Sequence, residues 1–384
     1  MKPFLTFGKP DIGKEEIDAV IKTMESGWLS TGPKVQELEV EFKKYINCKY
    51  AIPVSSCTAA LHLALHCHNI GVGDEVITTP MTFVATINAI EHCGAKPVFV
   101  DTKEGSYNID ASKIANAITS RTKAILPVHL LGMPCDMEEI NKAAKEYGMF
   151  VIEDAAHSIG AKYKNRRVGS NGTACFSFYA TKNVCGGEGG MIATDNKIVA
   201  ESARILSNHG MSKDAWMRYR KKGKKTYQVV EPGFKYNMQD LNAAIALEQL
   251  KKINKFNKLR RKYAELYFEE LANCKLIDLP EVEDKYRRSV WHLFPIRLKL
   301  NKLSINRFEF MEQLEKAGVG CGVHYEAIHL HPYYRNKYKE VRELRNAEDI
   351  SKRTVSIPLQ TSMTEQDLMN VVETVKKLLK RYKK

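Results

Sequence analysis

Residues 51–100 read AIPVSSCTAALHLALHCHNIGVGDEVITTPMTFVATINAIEHCGAKPVFV. The β-branched run Ala51–Val54 gives way to a helical stretch at Thr58–Cys67, with apolar Ala60, Leu61, Leu63, Ala64 and Leu65. After the turn GVGD, Glu75–Thr78 reads as a second strand. Phe83–His92 then reads as a helix with Phe83, Ile87 and Ile90 on one face, and Pro97–Val100 as a third strand. The same alternation predicts a helix near Ser112–Ile118, a strand at Ala124–Val128, a helix at Asp136–Tyr147 and a strand at Phe150–Ile152. Strands separated by helices of this length require right-handed crossovers, hence a mostly parallel sheet with helices on both faces.

Beyond residue 170 the spacing changes. Ala174–Tyr179 and Met191–Thr194 are strands close together around a glycine-rich turn, and helices follow at Val199–Ser207, Gln239–Leu250 and about Asn254–Leu271. The last third carries a strand at His292–Leu300 and helices at Ile305–Ala317 and Glu365–Arg381. The expected organisation is a large α/β domain over residues 1–250 and a smaller α+β domain over 251–384, without internal repeats.

Bulk composition narrows the class. The 384 residues are 44% hydrophobic and 27% charged, enough to build a large core. No run approaches the roughly 18 apolar residues of a membrane helix, and MKPFLTFGKPDIGKEE has no apolar segment of the secretory kind. The nine cysteines are scattered with no CxxC pair, which argues against a disulfide framework or structural zinc and for a reducing cytoplasm. The net charge of +14 points to an anionic partner: nucleic acid, a membrane surface or a phosphorylated small molecule.

Open parallel sheets bind ligands beyond the carboxyl ends of their strands. The residues placed there are Ser55–Thr58, Thr79–Phe83, His129, Glu153–His157 and Tyr179–Lys182. Small residues where a strand turns into a helix, as at Ser56-Cys57-Thr58-Ala59, let backbone N–H groups point at an anion, or simply cap the helix. A dinucleotide fingerprint and a GxxxxGK[ST] loop are both absent; Gly186-Gly187-Glu188-Gly189-Gly190 has the wrong spacing. Asp154 ends a hydrophobic strand beside two alanines, and Lys182 ends the run Phe176–Thr181, which carries its amine inward. Either could be an ordinary cap or surface residue alone. Together, an anion cradle, an aromatic plate at Phe83, a buried acid and a buried lysine meet the four needs of pyridoxal 5'-phosphate: a held phosphate, a stacked ring, a protonated pyridine nitrogen and an amine for the aldehyde.

The runs SSCTAALHLAL (55–65), PMTFVAT (80–86), PVHLLGMP (127–134), VIEDAAHSIGA (151–161), FSFYATKNVCGGEGGM (176–191), GFKYNMQDLNAAIALEQL (233–250) and GVGCGVHYEAIHLHPYYR (318–335) closely resemble the DegT/DnrJ/StrS aminotransferases. The resemblance extends from about Phe7 to Glu373 and includes PDIGKEEIDAV and SGWLSTGPKV near the start. It implies a fold-type-I pyridoxal-phosphate enzyme, acting on a nucleotide-linked keto sugar with L-glutamate as donor and 2-oxoglutarate as product, and a homodimer with shared active sites. By resemblance, Lys182 is the catalytic lysine that binds the cofactor aldehyde and shuttles the proton. Asp154 pairs with the pyridinium, His157 lies near the ring, and Phe83 stacks on it. Thr58, Ala59 (through its N–H) and Ser177 hold the phosphate, and Asn237 reaches it from the other subunit. His324 and Tyr325 contact the sugar nucleotide. Leu131 and Met133 stand where HLYGQP is common, and Val184-Cys185-Gly186 replaces a threonine-containing turn. Lys182 separates this chain from a dehydratase branch that carries histidine there.

His324, His329 and His331 could suggest a metal, but they fall in the block that resembles a substrate-side loop, so no metal is expected. Cys185 has no evident base and reads as a packing residue. The basic runs Arg218–Lys225 and Lys376–Lys384 supply much of the positive excess; the first could screen a diphosphate at the site mouth, although both could be solvated surface. GWLSTGPKV and SKDAWMRYRKKG look closest to members that aminate 4-keto-6-deoxy sugars at C4. A 3-keto sugar or a keto-cyclitol is the alternative substrate. A nucleic-acid-binding or regulatory protein with a vestigial cofactor fold is the rival class, disfavoured by the intact acid–lysine pair and by the lack of aromatic-interleaved basic strands.

Overall fold

The structure, a computed structural model, describes residues 4–212, 226–341 and 344–384; the basic run 218–225 lies outside them. From residue 50 to 194 the chain forms β1 (Tyr50–Val54), β2 (Glu75–Thr78), β3 (Lys96–Phe99), β4 (Thr122–Leu126), β5 (Phe150–Asp154), a small hairpin of β6 (Lys162–Tyr163) and β7 (Arg166–Arg167), β8 (Thr173–Ser177) and β9 (Gly190–Thr194). Seven of these make one sheet in the order β1-β9-β8-β5-β4-β2-β3. Strands β8, β5, β4, β2 and β3 run parallel, and β9 is reversed against both its neighbours.

Side-chain alternation along the strands assigns the two faces of the sheet. Val76, Ala124, Leu126, Ile152, Cys175 and Ile192 face one cluster with Leu61, Ala64 and Leu65 of the helix after β1. Their neighbours in sequence, Ala174, Phe176, Met191 and Ala193, face the opposite cluster with Leu38 and Phe42. Ile77 and Ile125 likewise turn toward Met137 and Ile140. Helices on both faces therefore bury both sides of the sheet, as the sequence predicts. The layer is built by α1 (Lys14–Glu25), α2 (Pro33–Ile46), α3 (Cys57–Cys67), α4 (Val84–His92), α5 (Met137–Glu146), α6 (Lys197–Leu206) and the first half of α7 (Asp240–Leu271). Helix α2 begins at Gly32, which has no capping side chain. Asp240 supplies one from across the chain, accepting from the N–H groups of Gly32 (2.8 Å), Val35 (3.0 Å) and Lys34 (3.1 Å).

Two helical expectations are corrected. Residues 112–118 form two short 3₁₀ turns, Ala111–Lys113 and Ala115–Ala117, because Ile118 is already extended (φ −78°, ψ 133°). The two helices expected at 239–250 and 254–271 are one helix of 32 residues. The polar stretch Lys251–Lys255 contains neither glycine nor proline, and polarity alone does not break a helix. Ile253 and Phe256 stay buried and carry the apolar stripe through it.

The expected domain boundary at residue 250 thus lies inside α7. Its first half packs Ala243, Ala246, Leu247 and Leu250 on the large sheet. Its second half packs Tyr263, Ala264, Tyr267 and Leu271 into a separate core. There they meet a three-stranded antiparallel sheet of β10 (Ile277–Asp278), β12 (Phe294–Leu298) and β13 (Thr354–Ile357), with β11 (Arg287–Arg288) pairing instead with β6. Helices α8 (Arg307–Lys316) and α11 (Glu365–Arg381) cover that core, while α10 (Arg345–Arg353) packs Ala347 and Ile350 on the α3 side of the large sheet and α9 (Pro332–Lys337) packs Tyr334 beside Ile87 of α4. The chain's start also reaches this unit: the Leu5 N–H donates to Gly318 O (2.9 Å), and Leu5 O accepts from the Gly320 N–H (2.8 Å). No helix of the described residues is long and apolar enough to cross a membrane, and all nine cysteines are free thiols.

Where β9 starts, it crosses the first turn of α3 so closely that a Cβ on Gly190 would lie 2.4 Å from the Ser56 carbonyl carbon. Only glycine fits there without moving the helix start. Gly190→Ala is expected to lower stability by about 1–3 kcal/mol, read as a lower urea midpoint. An unchanged midpoint would contradict the close approach.

Candidate active site

A cavity of about 470 Å³ opens beyond the carboxyl ends of β1, β2, β5 and β8 and is closed on the far side by residues of the smaller unit. Ser56 caps α3, its Oγ accepting the Ala59 N–H at 3.1 Å. The N–H groups of the first helical turn have no intrahelical partner, so Cys57 and Thr58, both on the cavity wall, present donors to an anion where the helix dipole favours one. Ser177 adds a hydroxyl. The alternation that sends Phe176 and Phe178 into the opposite core turns Ser177 to the α3 side, at the end of β8.

Asp154 stands at the end of β5, between β8 and β4, and is 6% exposed. Its Oδ2 accepts from Thr86 Oγ1 at 2.8 Å and its Oδ1 from the Ala156 N–H at 3.1 Å. Thr82 lies 2.6 Å from Thr86. Since the Thr86 proton points at Asp154, Thr82 is the donor of that second bond. Burial pushes the Asp154 carboxyl above its ordinary value, opposed by the Thr86 hydroxyl, the Ala156 N–H and the Lys182 ammonium. Burial likewise pushes Lys182 down to about 8, with Cys57 and Asp154 pulling it back up. Lys182 has no ion-pair partner among the described residues, so its amine is available for chemistry.

Three imidazoles surround this amine, and all are held neutral. Burial, then Lys182, then His324 keep His157 well below its ordinary value. Burial and His157 do the same for His292, and burial with Lys182 lowers His324 to about 4. The His157 and His292 rings are 4.3 Å apart. His157 Nε2 is 3.3 Å from Tyr325 Oη, and its buried Nδ1 has no partner. His324 stacks on Phe7 (5.1 Å, 22°) and meets Ser356 Oγ at 3.0 Å through Nδ1. Phe83, 55% exposed, flanks the opening 5.7 Å from the Tyr325 ring.

The cavity therefore gathers Thr58, Phe83, Asp154, His157, Ser177, Lys182, His324 and Tyr325 on one wall or another. Two other expected residues stand outside it. Ala59 backs the cradle, its N–H spent on Ser56. Asn237 sits beside β1, bridging to Val54 and donating to Thr31 Oγ1 at 2.7 Å. Among the described residues no group of three His, Cys, Asp or Glu is placed to hold a metal ion; His329 pairs with Glu348 at 3.3 Å. Cys185 is buried and its Sγ accepts the Gly187 N–H at 3.3 Å. His129, at the end of β4, points away from the cavity: its Nε2 lies 2.7 Å from Glu153 and its Nδ1 accepts the Cys135 N–H at 3.0 Å.

The sequence places Thr82 in the crevice without a role, and it does not mark Thr86, His292, Arg260 or Gln360. Thr86 was findable, lying four residues after Thr82 in PMTFVAT and so on one side of a helix start. The other three lie more than 75 residues from Lys182 in sequence and only the closing of the smaller unit brings them in. The donor set fits pyridoxal 5'-phosphate. It offers an anion cradle, a carboxylate for a pyridinium, an amine for the aldehyde and, in His157 Nδ1, a buried polar atom that still needs a partner.

Several known proteins are similar to this chain over nearly its whole length. The spore coat polysaccharide biosynthesis protein SpsC of Bacillus subtilis is 47% identical over 381 residues, 98% of this chain and 97% of that protein. Spr1654 of Streptococcus pneumoniae, solved in PLP-, PMP- and apo-forms, superposes in its PMP-form with a TM-score of 0.90 at 30% identity, covering 98% of this chain and 99% of that one. PseC of Helicobacter pylori, an aminotransferase involved in pseudoaminic acid biosynthesis, gives 0.91 at 27% identity over 99% and 100%. The family model matches residues 10–376, and the chain belongs to the DegT/DnrJ/EryC1/StrS aminotransferase family.

Proposed function

We propose that the protein transfers an amino group from L-glutamate to a nucleotide-linked 4-keto-6-deoxy sugar, giving the 4-amino sugar and 2-oxoglutarate, and that it works as a homodimer. The observation that carries this reading is a lysine amine and an aspartate carboxylate, both desolvated, in one cavity beside a helix N-terminus. SpsC is named for polysaccharide biosynthesis, which supports a sugar acceptor. The cavity is within the few-hundred-Å³ range of small-molecule sites, so a nucleotide has to lie toward the mouth, where Lys9 and Glu188 are exposed. Asn237, outside its own chain's cavity, would serve a partner's.

The bound cofactor supplies a cationic ring that draws electrons from the carbon bearing the amine. The protein's part is to bind, orient and move protons. The first turn of α3, Thr58 and Ser177 would hold the phosphate. Asp154, whose ionised form Thr86 and Ala156 favour, would hold a proton on the pyridine nitrogen. Phe83 would flank the ring. Lys182 Nζ would hold the aldehyde and, as a free amine, would take the proton from the donor's α-carbon and return one to the acceptor's carbon. A value of about 8 lets that one amine serve as both base and acid near neutral pH. The neutral imidazoles of His157 and His292 leave it the dominant proton carrier nearby.

Enzyme, glutamate and a panel of nucleotide-linked keto sugars are expected to yield an aminated product by mass spectrometry, with nitrogen at C4. Amination at C3, or of a cyclitol, would redirect the substrate assignment. Lys182→Ala is expected to abolish both turnover and the visible absorbance of the lysine–cofactor link; retained activity would overturn the assignment of Lys182.

Thr86→Val keeps shape but removes a hydrogen bond to a buried carboxylate. That carboxylate must be ionised to work, and the Thr86 bond lowers its pKa, so losing the bond raises it. The acid limb of the kcat profile should move upward by about one pH unit, and an unmoved limb would deny Thr86 this part.

A further inference from the structure

Arg260, midway along α7, lines the cavity with Lys182, His292 and Gln360 and is 5% exposed. Buried guanidinium groups nearly always face a carboxylate or phosphate. Arg260 faces none among the described residues. Its Nη1 donates to three carbonyl oxygens, those of Leu359 (2.8 Å), His292 (3.1 Å) and Trp291 (3.4 Å). Its Nε is buried with no partner, and no partner of Nη2 is found among the described residues. The next residue shows the ordinary arrangement: Arg261 pairs with Glu283 and points away. Burial pulls the Arg260 guanidinium down to about 10, so its charge persists at neutral pH. The cavity's own buried acid, Asp154, is already occupied by Thr86 and Ala156.

We propose that Arg260 is the anchor for a carboxylate of the amine donor. The three carbonyls fix one nitrogen of the guanidinium and thereby aim the plane. The two remaining nitrogens form an edge matched to the two oxygens of a carboxylate. This inference rests on Lys182 performing amino transfer, and it makes Arg260 a specificity determinant for that reaction. The donor is an α-amino acid, chosen by its carboxylate, in preference to a simple amine. The nucleotide-linked acceptor carries phosphates but no carboxylate, and its nucleotide belongs toward the mouth, so Arg260 acts on one half of the reaction only.

A purely structural staple would need just Nη1 and would affect both substrates alike. In the holoenzyme, Arg260→Gln is expected to raise KM for glutamate at least about tenfold, the loss of a charge-assisted pair, while KM for the keto sugar stays unchanged. Reaction with isopropylamine, which has no carboxylate, should be unaffected. Calorimetric titration with glutarate, which carries carboxylates but no amine, should show a matching loss of affinity. Arg260→Lys keeps the charge and loses the fork, and should fall between wild type and Arg260→Gln; it also serves if the glutamine variant does not fold. Unchanged glutamate KM and glutarate binding in either folded variant would overturn the inference, as would an equal rise for both substrates. Failure of the wild type to use glutamate would instead count against the proposed function itself.

Discussion

Desolvation of two opposite charges is the constraint on which the site depends. An ammonium and a carboxylate that left water without partners would each revert to the neutral form. For Asp154 a hydroxyl and a backbone N–H oppose that reversion, but burial outweighs them and holds the carboxyl above its ordinary value. Lys182 has no ion-pair partner among the described residues, and its affinity for a proton falls to about 8. The hydrogen bonds favour the ionised acid, while the amine is left able to change state. Neutral imidazoles around the amine reinforce this difference, since none competes for the proton in the working pH range.

Sheet topology turns that constraint into a place. The central order β8-β5-β4 puts the end of β5, and with it Asp154, between the segments that carry Ser177–Lys182 and His129. Reversed β9 brings Gly190 against the first turn of α3, fixing the anion cradle relative to β8. Helix α7 then spans both cores, about 48 Å at 1.5 Å per residue, and delivers Arg260 from the smaller unit's side to the same cavity. Adjoining cavity residues such as Gln360 tie down the chain's start: Gln360 Nε2 donates to Thr6 O at 3.3 Å, and Phe7 stacks on His324.

Much of this was legible because it is local. Strand–helix alternation from 51 to 155 marks the parallel sheet, and residues directly after strand ends mark Asp154, Lys182 and the cradle. The motif runs identify the family and, by resemblance, the cofactor. What escaped is what depends on distant closure: Arg260 sits in a charged helix with no local feature to separate it from Arg261, and His292 follows a tryptophan in an irregular stretch. The split of α7 into two helices failed for a different reason, because a polar gap in an apolar stripe was read as a break in the backbone. The +14 charge was the weakest guide, since the cavity is built from few charges and the basic run 218–225 lies outside the described residues.

The central claim is that Lys182 is singled out from the other described lysines by desolvation of its amine, which pulls it down to about 8. It is tested most directly by adding pyridoxal 5'-phosphate to the apoprotein, reducing with borohydride across a pH series and mapping the pyridoxyl adduct by peptide mass spectrometry. The account predicts one modified residue, Lys182, with a trapping rate that rises through about pH 8 as the amine loses its proton. Adducts spread over surface lysines, or a rate rising only near the ordinary lysine value of about 10.4, would contradict it.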